Sequence, residues 1–159
     1  MGICLNDVVI GTCDADDLEQ AIFLLHESAR THFFHGVELK QQALFLEANT
    51  HQCAIELQQQ GFQYFAAKCT DKLVGFVSIS PLGHIHQLFV ATSNQKSGVG
   101  RLLLQKAIGS VDLIKAKHRV TVAASFNSAQ FYVKNGFEFI DDKKYWHGVA
   151  YYPMALQLK

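Results

Sequence analysis

Apolar positions along the chain recur first at helical spacing and later in short alternating runs. "VVIGT" (8–12) is a β-branched run and predicts a strand. In "DADDLEQAIFLLHESARTHF", Leu18, Ile22, Leu25 and Ala29 return every three or four residues. That spacing predicts an amphipathic helix with Asp14 or Asp16 as its N-cap. Across 39–60, Leu39, Ala43, Leu46, Cys53, Ile55 and Leu57 keep a helical pattern, with Asn49–Thr50 as a candidate break between two shorter helices. Gly61 supplies the stop.

The texture then changes. "FQYFAAKC" (62–69), "KLVGFVSIS" (72–80) and "HIHQLFV" (84–90) are strand-like runs parted only by "TD" and "PLG", which predicts an antiparallel meander. A helix from about Gly98 leads to a strand at "RVTVAA" (119–124). "NSAQFYVKNG" (127–136) predicts a short helix with Asn127 as N-cap and Gly136 as stop, followed by strands at "FEFI" and at "GVAYYPMALQL" (148–158). The sum is an α/β chain: a mixed sheet, antiparallel first, with a strand–helix–strand crossover near its middle. There is no linker, repeat or low-complexity stretch, so residues 1–159 read as one domain.

Composition narrows the function classes. Fourteen basic and fourteen acidic residues cancel, so no global field exists to hold a nucleic acid. No apolar run approaches the ~18 residues of a membrane span. The first residues, "MGICLNDVVIGTCDADD", show no basic region followed by a long apolar stretch, and Asn6 stands where a myristoylation signal needs Ser or Thr. Cys4, Cys13, Cys53 and Cys69 have neither CxxC spacing nor a disulfide framework, as expected of free thiols in a reducing cytoplasm.

The first chemical signal is "QKSGVGR" (95–101), set between a strand and a helix. A dinucleotide fingerprint would need a third glycine at Leu103, and a Walker loop would need Lys and Ser or Thr after its glycine; neither is present. What remains is a glycine-rich turn feeding a helix. The amides of Ser97, Gly98, Val99 and Gly100 would converge on one anion, aided by the helix dipole and by Lys96 and Arg101. An ordinary turn with a helix cap is the alternative reading. The second signal, "SFNSAQFYVKNGF" (125–137), follows the next strand.

Together the two segments resemble the GNAT N-acetyltransferase superfamily. Gln95-Lys96-Ser97-Gly98-Val99-Gly100 matches its Q/R-x-x-G-x-G/A pyrophosphate motif. Asn127, Tyr132, Gly136 and Phe137 follow its second pattern loosely. The resemblance covers residues 72 to 156 well, and residues 1 to 60 only in element order. It implies a GNAT acyl-CoA N-acyltransferase fold: a central, mostly antiparallel sheet with one splayed parallel pair and flanking helices. It also implies acetyl-CoA as co-substrate, held by backbone groups of Leu88, Phe89 and Val90 in the splayed gap, by residues 95–101 at the diphosphate and by Asn127.

The implied reaction is attack of a neutral amine on the thioester carbonyl. Backbone N–H near Leu88 would stabilise the oxyanion. Tyr132 would protonate the thiolate, since a phenol of pKa ~10 can supply a thiol of pKa ~8.5 with a modest uphill step; its alternative is a core tyrosine. His84 and His86 alternate with Ile85, which places both imidazoles on one strand face, and simple alternation puts Leu88 and Val90 there too. Imidazole is mostly neutral near pH 7 and can act as base. His84 stands near the position where many members keep a carboxylate, with His86 orienting the acceptor; the alternative reading is that both only line a polar pocket.

Two rival readings stay open. One is a non-catalytic module that senses acyl-CoA. The other is a metal site built on the His84–His86 pair, which needs a third ligand from an unrelated element. On the acetyltransferase reading there is no metal, and the partners are a small-molecule amine and, for assembly, at most a second copy of the chain. "THFFHG" (31–36), "YWHGVAYY" (145–152), Glu27, Glu38 and Glu47 would wall the acceptor pocket.

Overall fold

A computed structural model describes residues 5–159, so Gly2 and Cys4 lie outside the described residues. A short 3-10 turn, Leu5–Asp7, leads into β1 (Val8–Thr12). Helix α1 (Ala15–His32) is capped by Asp14, whose carboxylate accepts from the Asp17 amide at 2.8 Å. Asp17 returns a carboxylate contact to the Asp14 amide at 3.0 Å, completing a capping box. The Asp17 carboxylate is buried and paired with Lys68 at 2.9 Å, which ties the helix start to the sheet. The break at Asn49–Thr50 is real: α2 (Leu39–Glu47) and α3 (His51–Gln59) are separate, and Thr50 caps the second.

The meander follows as β2 (Gln63–Cys69), β3 (Lys72–Ile79) and β4 (His84–Val90), paired antiparallel in sequence. Helix α4 (Val99–Gly109) crosses to β5 (Arg119–Ser125), and α5 (Ala129–Lys134) leads to β6 (Glu138–Phe139). The chain closes with a hairpin of β7 (Lys144–Trp146) and β8 (Val149–Gln157), whose His147–Gly148 turn has both φ angles positive. Strand order is β1-β2-β3-β4-β5-β8-β6, with β7 also on β8. Among the described residues, only β4 and β5 are parallel.

Three local expectations need correction. Strand β7 was not foreseen, because "KYW" is too short and too mixed to read as a strand. "FEFI" contributes just two strand residues. The cap of α5 is Ser128, with a helical backbone and no side-chain cap bond, so Asn127 lies one residue before the cap.

Apolar residues cover both faces of the sheet. On one face α4 and α5 bury Val99, Leu103, Leu104, Ala107, Ala129 and Tyr132 against strand residues that include Val77, Ile79, Ile85, Val120 and Val122. On the other, α1 to α3 bury Leu18, Leu25, Phe45 and Ala54 against Tyr64, Ala66, Leu73 and Phe76. Burial of this kind, at about 25 cal/mol per Å² of apolar surface, holds both helical layers to the sheet.

Candidate functional site

Strands β4 and β5 share two register pairs, His84↔Thr121 and Ile85↔Val122. Beyond these β4 continues to Val90 and β5 to Ser125 without pairing, so the sheet opens into a gap. The Ala91 amide donates to the Val74 carbonyl at 2.8 Å, which fixes the alternation along β3–β4. Phe89 and Gln87 then exchange their backbone bonds with β3, while the backbone groups of Leu88 and Val90 turn away from β3 into the gap. The Val90 carbonyl takes a bond from Gln95 Nε2 at 3.1 Å, consistent with that direction.

A β-bulge sits in the same strand. Ser78 opposes Gln87 while the next β3 residue, Ile79, opposes Ile85, which leaves His86 as the extra residue. Side-chain alternation is reset there. Ile85, Leu88 and Val90 pack with the α4–α5 core, whereas Phe89 packs with the α1–α3 core. His84 reaches Thr121 with 2.7 Å between Nδ1 and Oγ1, on the α1–α3 side, and His86 meets the Phe62 ring edge with centroids 5.8 Å apart. Simple alternation put Leu88 and Val90 on the histidine face; the bulge moves them to the opposite one.

The loop before α4 is built to present amides. Gly98 has φ +95°, the left-handed region that favours glycine, and Lys96 has φ +62°. Ser97 Oγ donates to the Asn94 carbonyl and holds the turn. The Leu102 amide is the first to bond back, to Gly98. Among the described residues, the six amides from Lys96 to Arg101 find no backbone or side-chain acceptor. They lie at the positive end of an eleven-residue helix. The Val99 side chain is buried in the core, so only its amide faces the loop. Lys96, Arg101 and Lys134 line the same end of the groove, as does the exposed Asn127.

Tyr132 lies under the gap. Its ring is packed edge-on against Phe131 and Phe137, at 5.1 and 5.2 Å between centroids. The residue lines the groove, and its hydroxyl has no hydrogen-bond partner among the described residues. Burial pushes the phenol above its usual range. Burial also lowers both groove histidines: His84 falls below 6.5, and His86 drops to about 4, pushed further by neighbouring His84. Both rings keep an exposed surface in the groove, so these shifts are softened by water.

On the α1–α3 side the groove is lined by His32 and Phe33 of the expected "THFFHG" segment, by Trp146 and Tyr151 of "YWHGVAYY", and by Phe45, Asn49 and Gln87, which no sequence pattern singled out. Buried Gln87 donates to Asn49 Oδ1 at 2.7 Å and accepts from Ser78 Oγ at 3.3 Å, tying the bulge to the α2–α3 break. Phe45 meets Trp146 at 5.4 Å and Phe33 at 6.3 Å between centroids. His32 and Ser28 of α1 face the same space. Glu27, Glu38 and Glu47 do not line it; all three are exposed elsewhere. Among the described residues no group of three His, Cys, Asp or Glu gathers, so the His84–His86 pair meets no third ligand. No helix among them is long and apolar enough to cross a membrane.

Comparison with known proteins speaks to the fold and the family. The chain matches the acetyltransferase (GNAT) domain family over residues 32–158. No curated protein gives a significant sequence match. Among solved structures, the chain is similar to a GCN5-related N-acetyltransferase from Rhodopseudomonas palustris (TM-score 0.75, 21% identity, covering 94% of this chain and 95% of that one). It is equally similar to the PaiA N-acetyltransferase of Thermoplasma acidophilum in complex with coenzyme A (TM-score 0.75, 17% identity, 94% and 98%). A ribosomal-protein-alanine N-acetyltransferase from Brucella melitensis follows at TM-score 0.69 (19% identity, 94% and 99%). At these identities the structures speak for the fold, while the match across most of the sequence decides the family: the chain belongs to the GNAT acetyltransferases.

Proposed function

We propose that this single-domain acetyltransferase moves the acetyl group of acetyl-CoA to a primary amine of a small molecule, by direct attack within a ternary complex in the cytoplasm. The observation that carries the reading is the gap between β4 and β5, with its unpaired strand edge at Leu88 and Val90 and, at the adjoining helix start, six amides that find no acceptor among the described residues. A peptide-like pantetheine arm fits an unpaired edge, because it offers amides where the strand needs partners. A diphosphate fits the amides of residues 96–101, with Lys96, Arg101 and Lys134 adding positive charge. Gln95 and Ser97 serve this site by holding the turn, and Asn127 borders it. Phe89 contributes least to holding the coenzyme, since its backbone pairs with β3 and its ring packs on the α1–α3 side of the groove.

Bound there, acetyl-CoA supplies the activated acyl thioester. The Leu88 N–H, free in the gap, can donate to the carbonyl oxygen as negative charge builds on it. His84 takes the proton of the incoming ammonium, directly or through water, with His86 beside it orienting the acceptor. A C–N bond forms as the C–S bond breaks. The Tyr132 hydroxyl, kept protonated by burial, gives its proton to the departing sulfur, and the second proton shed by the nitrogen restores the phenol, directly or through water.

Calorimetry with acetyl-CoA, paired with thiol release across an amine panel, tests the proposal. Saturable binding with amine-dependent release supports it. Binding without release by any amine would favour the sensing module instead, and no binding would remove both readings.

A further inference from the structure

The groove passes through the sheet at the β4–β5 opening, and its two ends differ in charge. Its formally charged lining residues are Lys96, Arg101, Lys134, Lys144 and Asp141. Lys96, Arg101 and Lys134 belong to the α4–α5 end described above. Asp141 and Lys144, beside the hairpin, are bound to each other at 3.1 Å. Among the described residues, the α1–α3 end therefore offers no unpaired carboxylate and no unpaired cation. Its histidines His84 and His86 are held towards the neutral form by burial. What it does offer is an aromatic wall, Phe33–Phe45–Trp146, together with the hydrogen-bonding groups of Ser28, His32, Asn49 and Gln87.

The same end is roofed. The β7–β8 hairpin seats Trp146 on Phe45, and its turn rests on the segment that opens α2. A Cβ at Gly148 would stand 3.1 Å from Val37 and 3.3 Å from Gln41. No polypeptide can run between hairpin and helix at that point, so the geometry favours a compact acceptor over a peptide terminus.

We infer that the acceptor is a small aromatic monoamine whose reacting nitrogen is its only charge-bearing group, seated against the Phe33–Phe45–Trp146 wall. This deepens the acetyl-transfer reading and rests on it. A second ammonium or a carboxylate would lose its water here without gaining a counterion, which is costly. A ring gains edge-to-face contacts that an alkyl chain of equal area does not. The inference excludes polyamines, aminoglycosides and free amino acids as preferred acceptors.

A matched series tests it. Phenethylamine, phenylalanine (the same skeleton with a carboxylate), xylylenediamine (a ring with a second amine), hexylamine, spermidine, kanamycin and a short peptide with N-terminal phenylalanine are compared by kcat/KM for thiol release. Phenethylamine should exceed phenylalanine, spermidine and kanamycin by about 10²-fold, and should exceed xylylenediamine, hexylamine and the peptide by a smaller margin. Trp146 is the only tryptophan in the chain, so its fluorescence reports acceptor binding without turnover. Phenethylamine should perturb it saturably, and spermidine should not. Trp146→Ala should raise KM for phenethylamine roughly tenfold while acetyl-CoA affinity by calorimetry stays unchanged. Trp146→Glu should raise the relative kcat/KM of xylylenediamine. Preference for a charged acceptor, for hexylamine or for the peptide would overturn the inference. So would tight acetyl-CoA binding with no turnover of any monoamine, which would still leave the coenzyme site standing. Failure of acetyl-CoA to bind would instead remove the underlying reading.

Discussion

Thr121 Oγ1 stands 2.7 Å from His84 Nδ1, across the register pair at which the two parallel strands meet. The base-competent tautomer is the one in which Nδ1–H donates to Thr121, leaving the lone pair on Nε2. His84→Ala should lower kcat/KM by about 10²-fold and abolish the acidic limb of its pH profile. Burial holds the imidazole below 6.5, so the wild-type limb should lie below that value. His84→Glu should restore part of the rate with the limb moved lower still. Thr121→Val should cost less than His84→Ala and keep the limb. A limb that survives His84→Ala and vanishes in His86→Ala would exchange the two roles.

His86 should shape stability as well as catalysis. Above pH 6.5 its ring is neutral in both folded and unfolded chains. Between 6.5 and about 4 the unfolded chain binds a proton that the folded one refuses, so stability falls as pH falls through that window. His84 adds a contribution of the same sign. Thermal melts from pH 7.5 to pH 4 should show a smaller loss of Tm in His86→Gln than in the wild type, by a margin below the full shift because the ring keeps contact with water. An unchanged slope would show that the ring hydrates freely in the native state.

Gly100→Asp should abolish acetyl-CoA binding while the domain stays folded. A Cβ there would lie 3.4 Å from the Phe131 ring, a contact that small movement absorbs, and the carboxylate would bring negative charge to the helix start. Gly100→Ala separates the two effects and should weaken binding much less. Gly98→Asp adds backbone strain, because φ there is +95°. Calorimetry that returns wild-type affinity for a folded Gly100→Asp would remove the diphosphate from this loop.

Tyr132→Phe should leave Tm and acetyl-CoA affinity nearly unchanged, since the ring keeps its contacts with Phe131 and Phe137. Turnover should fall about 10²-fold if the hydroxyl delivers a proton to the leaving sulfur. A wild-type kcat in this variant, measured where chemistry limits the rate, would show that Tyr132 only packs.

Helices and meander were legible because their apolar periods are long and clean, as in Leu18, Ile22, Leu25 and Ala29 of α1. The glycine-rich loop proposed to hold the diphosphate was legible because glycines and cations mark it locally. The wall proposed for the acceptor was legible only in part: Phe33 and Trp146 lie in segments expected to line the pocket, whereas Phe45 and Asn49 join them only through tertiary packing and are unremarkable in their own segments. The bulge did leave a trace. In "HIHQLFV" the polar–apolar alternation fails at the adjacent polar pair His86-Gln87, where the extra residue sits. Reading that pair as two residues on one face would have placed Leu88 correctly.

The bulge also divides labour within a single strand. On the proposed reading, β4 addresses the acceptor before the gap through the rings of His84 and His86; along the gap, Leu88 and Val90 address the donor with peptide groups that every amino acid but proline shares. Donor recognition at these two positions would then be nearly blind to side-chain identity, whereas the acceptor side would be set by side chains. A lineage carrying this scaffold can drift in what it acetylates, one substitution at a time, without having to rediscover how to hold its donor.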